Sequence, residues 1–143
     1  HMIGKLQTNK VKQAVKIFDY IHSLDSTKLA KKISAEQKKI GKKLKIFIQI
    51  NVGNESQKSG VSINELNDFY NMCIKNFDLN IIGLMCLPPA NIDPSKYFDI
   101  MNKKATNLGL SELSMGMSED YIKAIKFNAS FIRIGSKIFG KRN

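Results

Sequence analysis

The feature that most constrains this chain is its rhythm: short β-branched runs alternate with longer stretches of helical periodicity from one end to the other. Ile46-Phe47-Ile48-Gln49-Ile50-Asn51-Val52 is the clearest short run and reads as a buried strand. Ser62, followed three residues later by Glu65, reads as a capping box that opens a helix to about Lys75, with Leu66, Phe69, Tyr70 and Cys73 on its apolar side. Leu79 to Met85 is the next strand, stopped by Pro88-Pro89, and Pro94 sits where a first-turn proline opens a helix toward Leu108. Leu113 to Met115 reads as a strand, Ser118 to about Asn128 as a helix, and Phe131 to Ile134 as a strand followed by a helical turn from Ser136. The front end repeats the pattern. Met2-Ile3 resembles the end of a strand, Val11 to Phe18 a helix, Tyr20 to Leu24 a strand, and Thr27 to Ile40 a helix started by Asp25 or Ser26. Such alternation, with no Gly/Ser linker, implies one α/β domain over residues 1–143 with helices packed outside a parallel sheet. About six strands are expected, against eight in a closed (β/α)₈ TIM barrel, so the chain is either an open doubly wound sheet or a barrel short of its first two units.

Composition narrows the function classes. No apolar run approaches the roughly 20 residues needed to span a bilayer, and no secretory signal pattern is present, so the expected location is the cytoplasm and no membrane partner is expected. Cys73 and Cys86, without C-x-x-C pairing or histidines at metal spacing, read as buried thiols, and no metal site is expected. The formal charge of +11 invites a nucleic-acid reading. Yet only Arg133 and Arg142 among the 23 basic residues are arginine, the better bidentate partner for phosphate and guanine. The densest basic stretch, Lys38, Lys39, Lys42, Lys43 and Lys45, reads as a solvated helix face, so a basic RNA-binding module is the weaker alternative.

In a parallel α/β fold, ligands bind at the carboxyl ends of the strands. Three stretches fall there. In Ser114-Met115-Gly116-Met117-Ser118, glycine permits close backbone approach and Ser118 offers a hydroxyl beside unpaired amides at a helix start, although Ser118 could simply cap its own helix. In Arg133-Ile134-Gly135-Ser136, if Ile132 and Ile134 face the outer helices, strand alternation turns Arg133 inward, where it requires either a ligand or a carboxylate on a neighbouring strand, and Gly135-Ser136 repeats the glycine-then-hydroxyl arrangement. Together the two segments resemble the two last loops and short extra helix of a barrel phosphate site. The third, the polar loop Asn51 to Gly60, decides nothing alone.

Five ordered motifs carry a resemblance. His1-Met2-Ile3-Gly4-Lys5-Leu6-Gln7-Thr8-Asn9-Lys10, the loop ending Lys58-Ser59-Gly60, the strand Gly83-Leu84-Met85-Cys86-Leu87-Pro88, the segment Leu113 to Asp120, and the run Arg133 to Gly140 resemble, in order, motifs of the pyridoxal 5′-phosphate homeostasis (YggS/PROSC) family. The resemblance implies a (β/α)₈ barrel of the alanine racemase N-terminal type, fold type III, of which strands three to eight are present. It implies a non-catalytic carrier of pyridoxal 5′-phosphate (PLP), in which Ser118, Gly135 and Ser136 bind the phosphate, Met117 lines that site, Arg133 faces the pyridine nitrogen, His1 lies near the ring and Lys58 near the mouth. An always-protonated guanidinium at the ring nitrogen discourages its protonation and weakens the ring as an electron sink, which suits holding the cofactor. The family's Schiff-base lysine belongs to a strand not found in this sequence, so the phosphate cradle is expected without its covalent anchor, and no catalytic residue is assigned. PLP-accepting apo-enzymes are the implied partners, with self-association possible through exposed sheet edges. The alternative within the same fold type is a PLP-dependent racemase or decarboxylase, which would need an acid or base opposite the lysine.

Overall fold

The computed structural model describes residues 1–140. Arg142 therefore lies outside the described residues. Five strands form one parallel sheet in simple chain order: β1 (Tyr20–Leu24), β2 (Lys45–Ile50), β3 (Asn80–Cys86), β4 (Glu112–Met117) and β5 (Phe131–Arg133). The expected sixth strand at Met2-Ile3 is reduced to a single parallel bridge from Met2 to Ile21, held by Met2 N to Tyr20 O and His22 N to Met2 O. Helices α1 (Val11–Ile17), α2 (Thr27–Lys39), α3 (Leu66–Lys75), α4 (Ser95–Asn107), α5 (Tyr121–Lys126) and α6 (Ser136–Phe139) alternate with the strands. This is the curled, partial barrel that the family resemblance implied, one of the two arrangements the alternation allowed.

The two sheet faces differ in chemistry. Ile46, Ile48, Leu84, Cys86, Leu113 and Met115 turn outward into one apolar layer with Ile33, Leu66, Phe69, Phe98, Met101 and Ala124 from the helices. Fully burying such a side chain stabilises the fold by roughly 1.5–3 kcal/mol, so this layer carries most of the folding energy. The inner face follows from the pairing register. Gln49 opposes Met85, Met85 opposes Ser114 and Ser114 opposes Phe131, forming one row across four strands. Below and beside it, His22 stacks on Phe47 with ring centroids 4.3 Å apart, and Phe131 meets both rings edge-on.

Local chemistry corrects several expectations. Of the two proposed caps for α2, Ser26 is the one used, accepting from the Leu29 amide. Ser62 accepts from the Glu65 amide at 3.3 Å, but its hydroxyl donates to the Glu65 carboxylate, and α3 begins only at Leu66. The lysine run is not one helix face. Lys38 and Lys39 end α2, Lys42 and Lys43 lie in the following turn, and Lys45 begins β2. Four of the five are bonded individually, Lys39 to Glu36, Lys42 to Asp19, Lys43 to Asp78 and Lys45 to the Tyr20 hydroxyl.

Ser118 does not cap its own helix. Asp120 accepts from the Met117 amide at 2.6 Å, tightening the turn after β4, so α5 starts three residues later than the sequence suggested.

Candidate functional site at the carboxyl ends of the last two strands

The turn after β4 depends on Gly116. Its φ of +91° is left-handed, and a Cβ there would lie 2.6 Å from the Ala124 methyl, so any larger residue would push α5 away. The register shifts between Ser114 and Met117, and this bulge brings Met117, half exposed, opposite Arg133.

Ser118, 6% exposed, turns across to the next loop. Its Oγ accepts from the Gly135 and Lys137 amides, both at 3.3 Å. Ser118 thus joins the turn after β4 to the start of α6, and with two acceptor positions used its own proton is free to donate. Gly135 shows the opposite of Gly116: its φ is −123°, and a Cβ built there would meet no protein atom within 4 Å. Among the described residues no atom bars a side chain at this position. Ser136, exposed, adds a second hydroxyl at the same loop. The free hydrogen of Ser118, the Ser136 hydroxyl and a position where a side chain would fill the cradle suit a tetrahedral oxyanion, with the Gly135 and Lys137 amides held alongside by Ser118.

Arg133 lies beside this loop on the inner face. Its Nη1 donates to Ser114 Oγ and its Nη2 to the Cys86 carbonyl, both at 2.8 Å. The salt bridge considered from sequence is not formed, since both acceptors are neutral. Burial lowers its pKa from the ordinary arginine value, partly countered by Cys86 and Asp120, yet a guanidinium stays protonated in proteins. A charged donor with neutral partners keeps its positive field available to a ligand.

Two further residues join the site. Ser114 Oγ lies 2.8 Å from His22 Nδ1, and His22 Nε2 lies 3.1 Å from His1 Nδ1. His1, exposed, stacks flat on Tyr20 at 3.9 Å and so stands by the inner aromatic cluster. Burial and then the Arg133 charge lower the His22 imidazole from 6.5 to about 4. Sequence reasoning passed over His22; its one signal was strand parity, which places Tyr20 and His22 on a common face of β1.

Lys58 sits elsewhere in the mouth. It forms an ion pair with Glu55 and donates to the Leu87 and Pro88 carbonyls at 3.4 and 3.0 Å, tying the loop after β2 to the end of β3. It also lines a cleft of about 280 Å³ with Lys5, Gln49 and Met85. Cys73 and Cys86 are buried and free, and burial pushes each thiol up to about 12. Among the described residues no three His, Cys, Asp or Glu side chains converge as a metal site would require, and no helix is long and apolar enough to cross a membrane.

With this geometry in place, likeness to known proteins becomes informative. Residues 1–143 match the family model for the alanine racemase N-terminal domain. The pyridoxal phosphate homeostasis protein of Aquifex aeolicus is 36% identical over 99% of this chain and 66% of its own length, and that of a Synechocystis strain is 36% identical over 99% and 69%. This chain belongs to the pyridoxal phosphate homeostasis protein family. Among solved structures, PipY of Synechococcus elongatus without PLP superposes with a TM-score of 0.89 at 32% identity, covering 96% of this chain and 68% of that one. The PipY structure with PLP bound gives 0.85 at 31%. The chain spans about two thirds of the length of the curated relatives it matches, 66% for the Aquifex aeolicus protein and 64% for that of Escherichia coli.

Proposed function

We propose that this chain holds the phosphate and pyridine-nitrogen side of PLP at the ends of β4 and β5, as part of a non-catalytic cofactor carrier. The observation that carries the reading is the convergence of Ser118 Oγ with the Gly135 and Lys137 amides beside a glycine that the fold itself does not need. Ser118, Gly135 and Ser136 would receive the phosphate and Met117 would line it, while Arg133 would donate to the ring nitrogen. His1 would stand near the ring, whereas Lys58, engaged by Glu55 and two carbonyls, would hold the mouth's rim together without touching the phosphate. When bound, PLP supplies an electron-withdrawing ring, and Arg133 limits that capacity by opposing protonation of the nitrogen. No lysine of this chain is proposed as the covalent anchor.

The relatives' names, the bound PLP of PipY and the buried thiols support a carrier working in a reducing cytoplasm, delivering PLP to apo-enzymes, with the edge of β5 and the part of the β1 edge beyond the Met2 bridge available for self-association. A racemase or decarboxylase activity gains no support here, because the inner face around Arg133 offers Ser114 and a neutral His22 where an acid–base pair would be required.

Titrating the chain with PLP, followed by ³¹P NMR and absorbance, tests the reading. Saturable binding that Ser118→Ala weakens is expected; absence of binding at roughly millimolar ligand would sink it.

A further inference from the structure

The inner face carries a hydrogen-bonded series whose direction can be worked out atom by atom. Arg133 Nη1 can only donate, so Ser114 Oγ is the acceptor of that 2.8 Å bond. Ser114 is fully buried, and its remaining partner among the described residues is His22 Nδ1 at 2.8 Å. If Nδ1 carried the proton, the serine would accept twice and its own hydrogen would be left buried without a partner, which costs about 1–3 kcal/mol. The serine therefore donates to Nδ1. Neutral His22 then carries its hydrogen on Nε2, which donates to His1 Nδ1 at 3.1 Å. Every donor and acceptor in the series is used once, and the order is Arg133 to Ser114 to His22 to His1. Stacking of His22 on Phe47 fixes the ring plane in which this works.

We propose that His22 is a positioning residue for Arg133: its Nδ1 lone pair orients the Ser114 hydroxyl so that the oxygen faces the guanidinium and fixes it beside the pyridine nitrogen. The proposal rests on the PLP reading for its final step, and its first steps concern this chain alone. An unoriented serine could turn its hydrogen toward Arg133, removing one of the two acceptors that hold the guanidinium plane.

Two measurements test it. Long-range ¹H–¹⁵N NMR of the full chain at pH 7 reports each imidazole's tautomer; the Nε2–H form is expected for His22, and an Nδ1–H form or an even mixture would overturn the proposal whether or not PLP binds. His22→Phe keeps the ring stack and removes the lone pair, whereas His22→Asn places an oxygen near the Nδ1 position. PLP affinity is expected to fall about tenfold in His22→Phe and to recover in His22→Asn, with inorganic phosphate binding equally to both and to the parent chain. Equal PLP affinity in parent and His22→Phe, or no recovery in His22→Asn, would overturn the positioning role. If the parent chain binds no PLP at all, the carrier reading fails while the tautomer result still decides the inference.

Discussion

The turns that follow β4 and β5 each contain a glycine on which the candidate site depends, and the two glycines are there for different reasons. Gly116 is demanded from within, by a φ of +91° and by the Ala124 methyl that a side chain would strike. Gly135 has a negative φ and, among the described residues, no atom near its missing Cβ. A glycine that the fold requires says little about ligands. One that the fold does not require, placed where Ser118 gathers two amides, points to something that must come close.

Substituting the two glycines should separate these roles. Gly116→Ala is expected to destabilise the chain by about 2–4 kcal/mol, combining left-handed strain with overpacking against α5, as read from urea unfolding. A loss below about 1 kcal/mol would mean that the turn adapts and that the contrast with Gly135 is weaker than drawn.

Arg133→Met comes next in size. It is expected to lower PLP affinity by about 30-fold, roughly 2 kcal/mol for a hydrogen bond from a charged donor, while leaving affinity for inorganic phosphate near that of the parent chain. Equal losses for both ligands would show that Arg133 serves the phosphate and not the ring.

A pH dependence is also expected. Because the His22 imidazole is held at about 4, below its ordinary 6.5, the unfolded chain binds more protons than the folded one between those values. Stability should therefore be complete above about pH 6.5 and decline as pH falls toward 4, with burial and then the Arg133 charge disfavouring protonation. His22→Phe should flatten that slope in urea midpoints measured across the window; an unchanged slope would assign it to other groups. The smallest signal expected is at the thiols. With both cysteines buried and pushed up to about 12, neither should react with a thiol reagent at neutral pH until the chain unfolds, and prompt labelling of the native chain would contradict the packing of β3 on α3 and α4.

Much of this was legible in the sequence because its determinants are local. Strand and helix alternation, the inward turn of Arg133 and the pairing of the last two loops all follow from parity and turn chemistry within a few residues. What escaped depends on distant partners. Ser118 looked like its own helix's cap because serine before an acidic pair usually is one, but Asp120 takes the Met117 amide and frees Ser118 to reach residues 135 and 137. His22 carried no signal of function, since its partners Ser114 and His1 lie 92 and 21 positions away. The bulge at Gly116 decides that Met117 faces Arg133, and nothing in the spacing of the two methionines announces that shift.

The central claim is that the chain's own hydroxyl and amides at β4 and β5 form a phosphate cradle, and Gly135→Ala tests it most directly. Its Cβ meets no atom of the described residues, so the unfolding midpoint should stay within about 0.5 kcal/mol of the parent chain's. Binding of inorganic phosphate and of PLP, measured by ³¹P NMR on that same folded variant, should fall at least about tenfold. Unchanged binding in a folded Gly135→Ala chain would contradict the account.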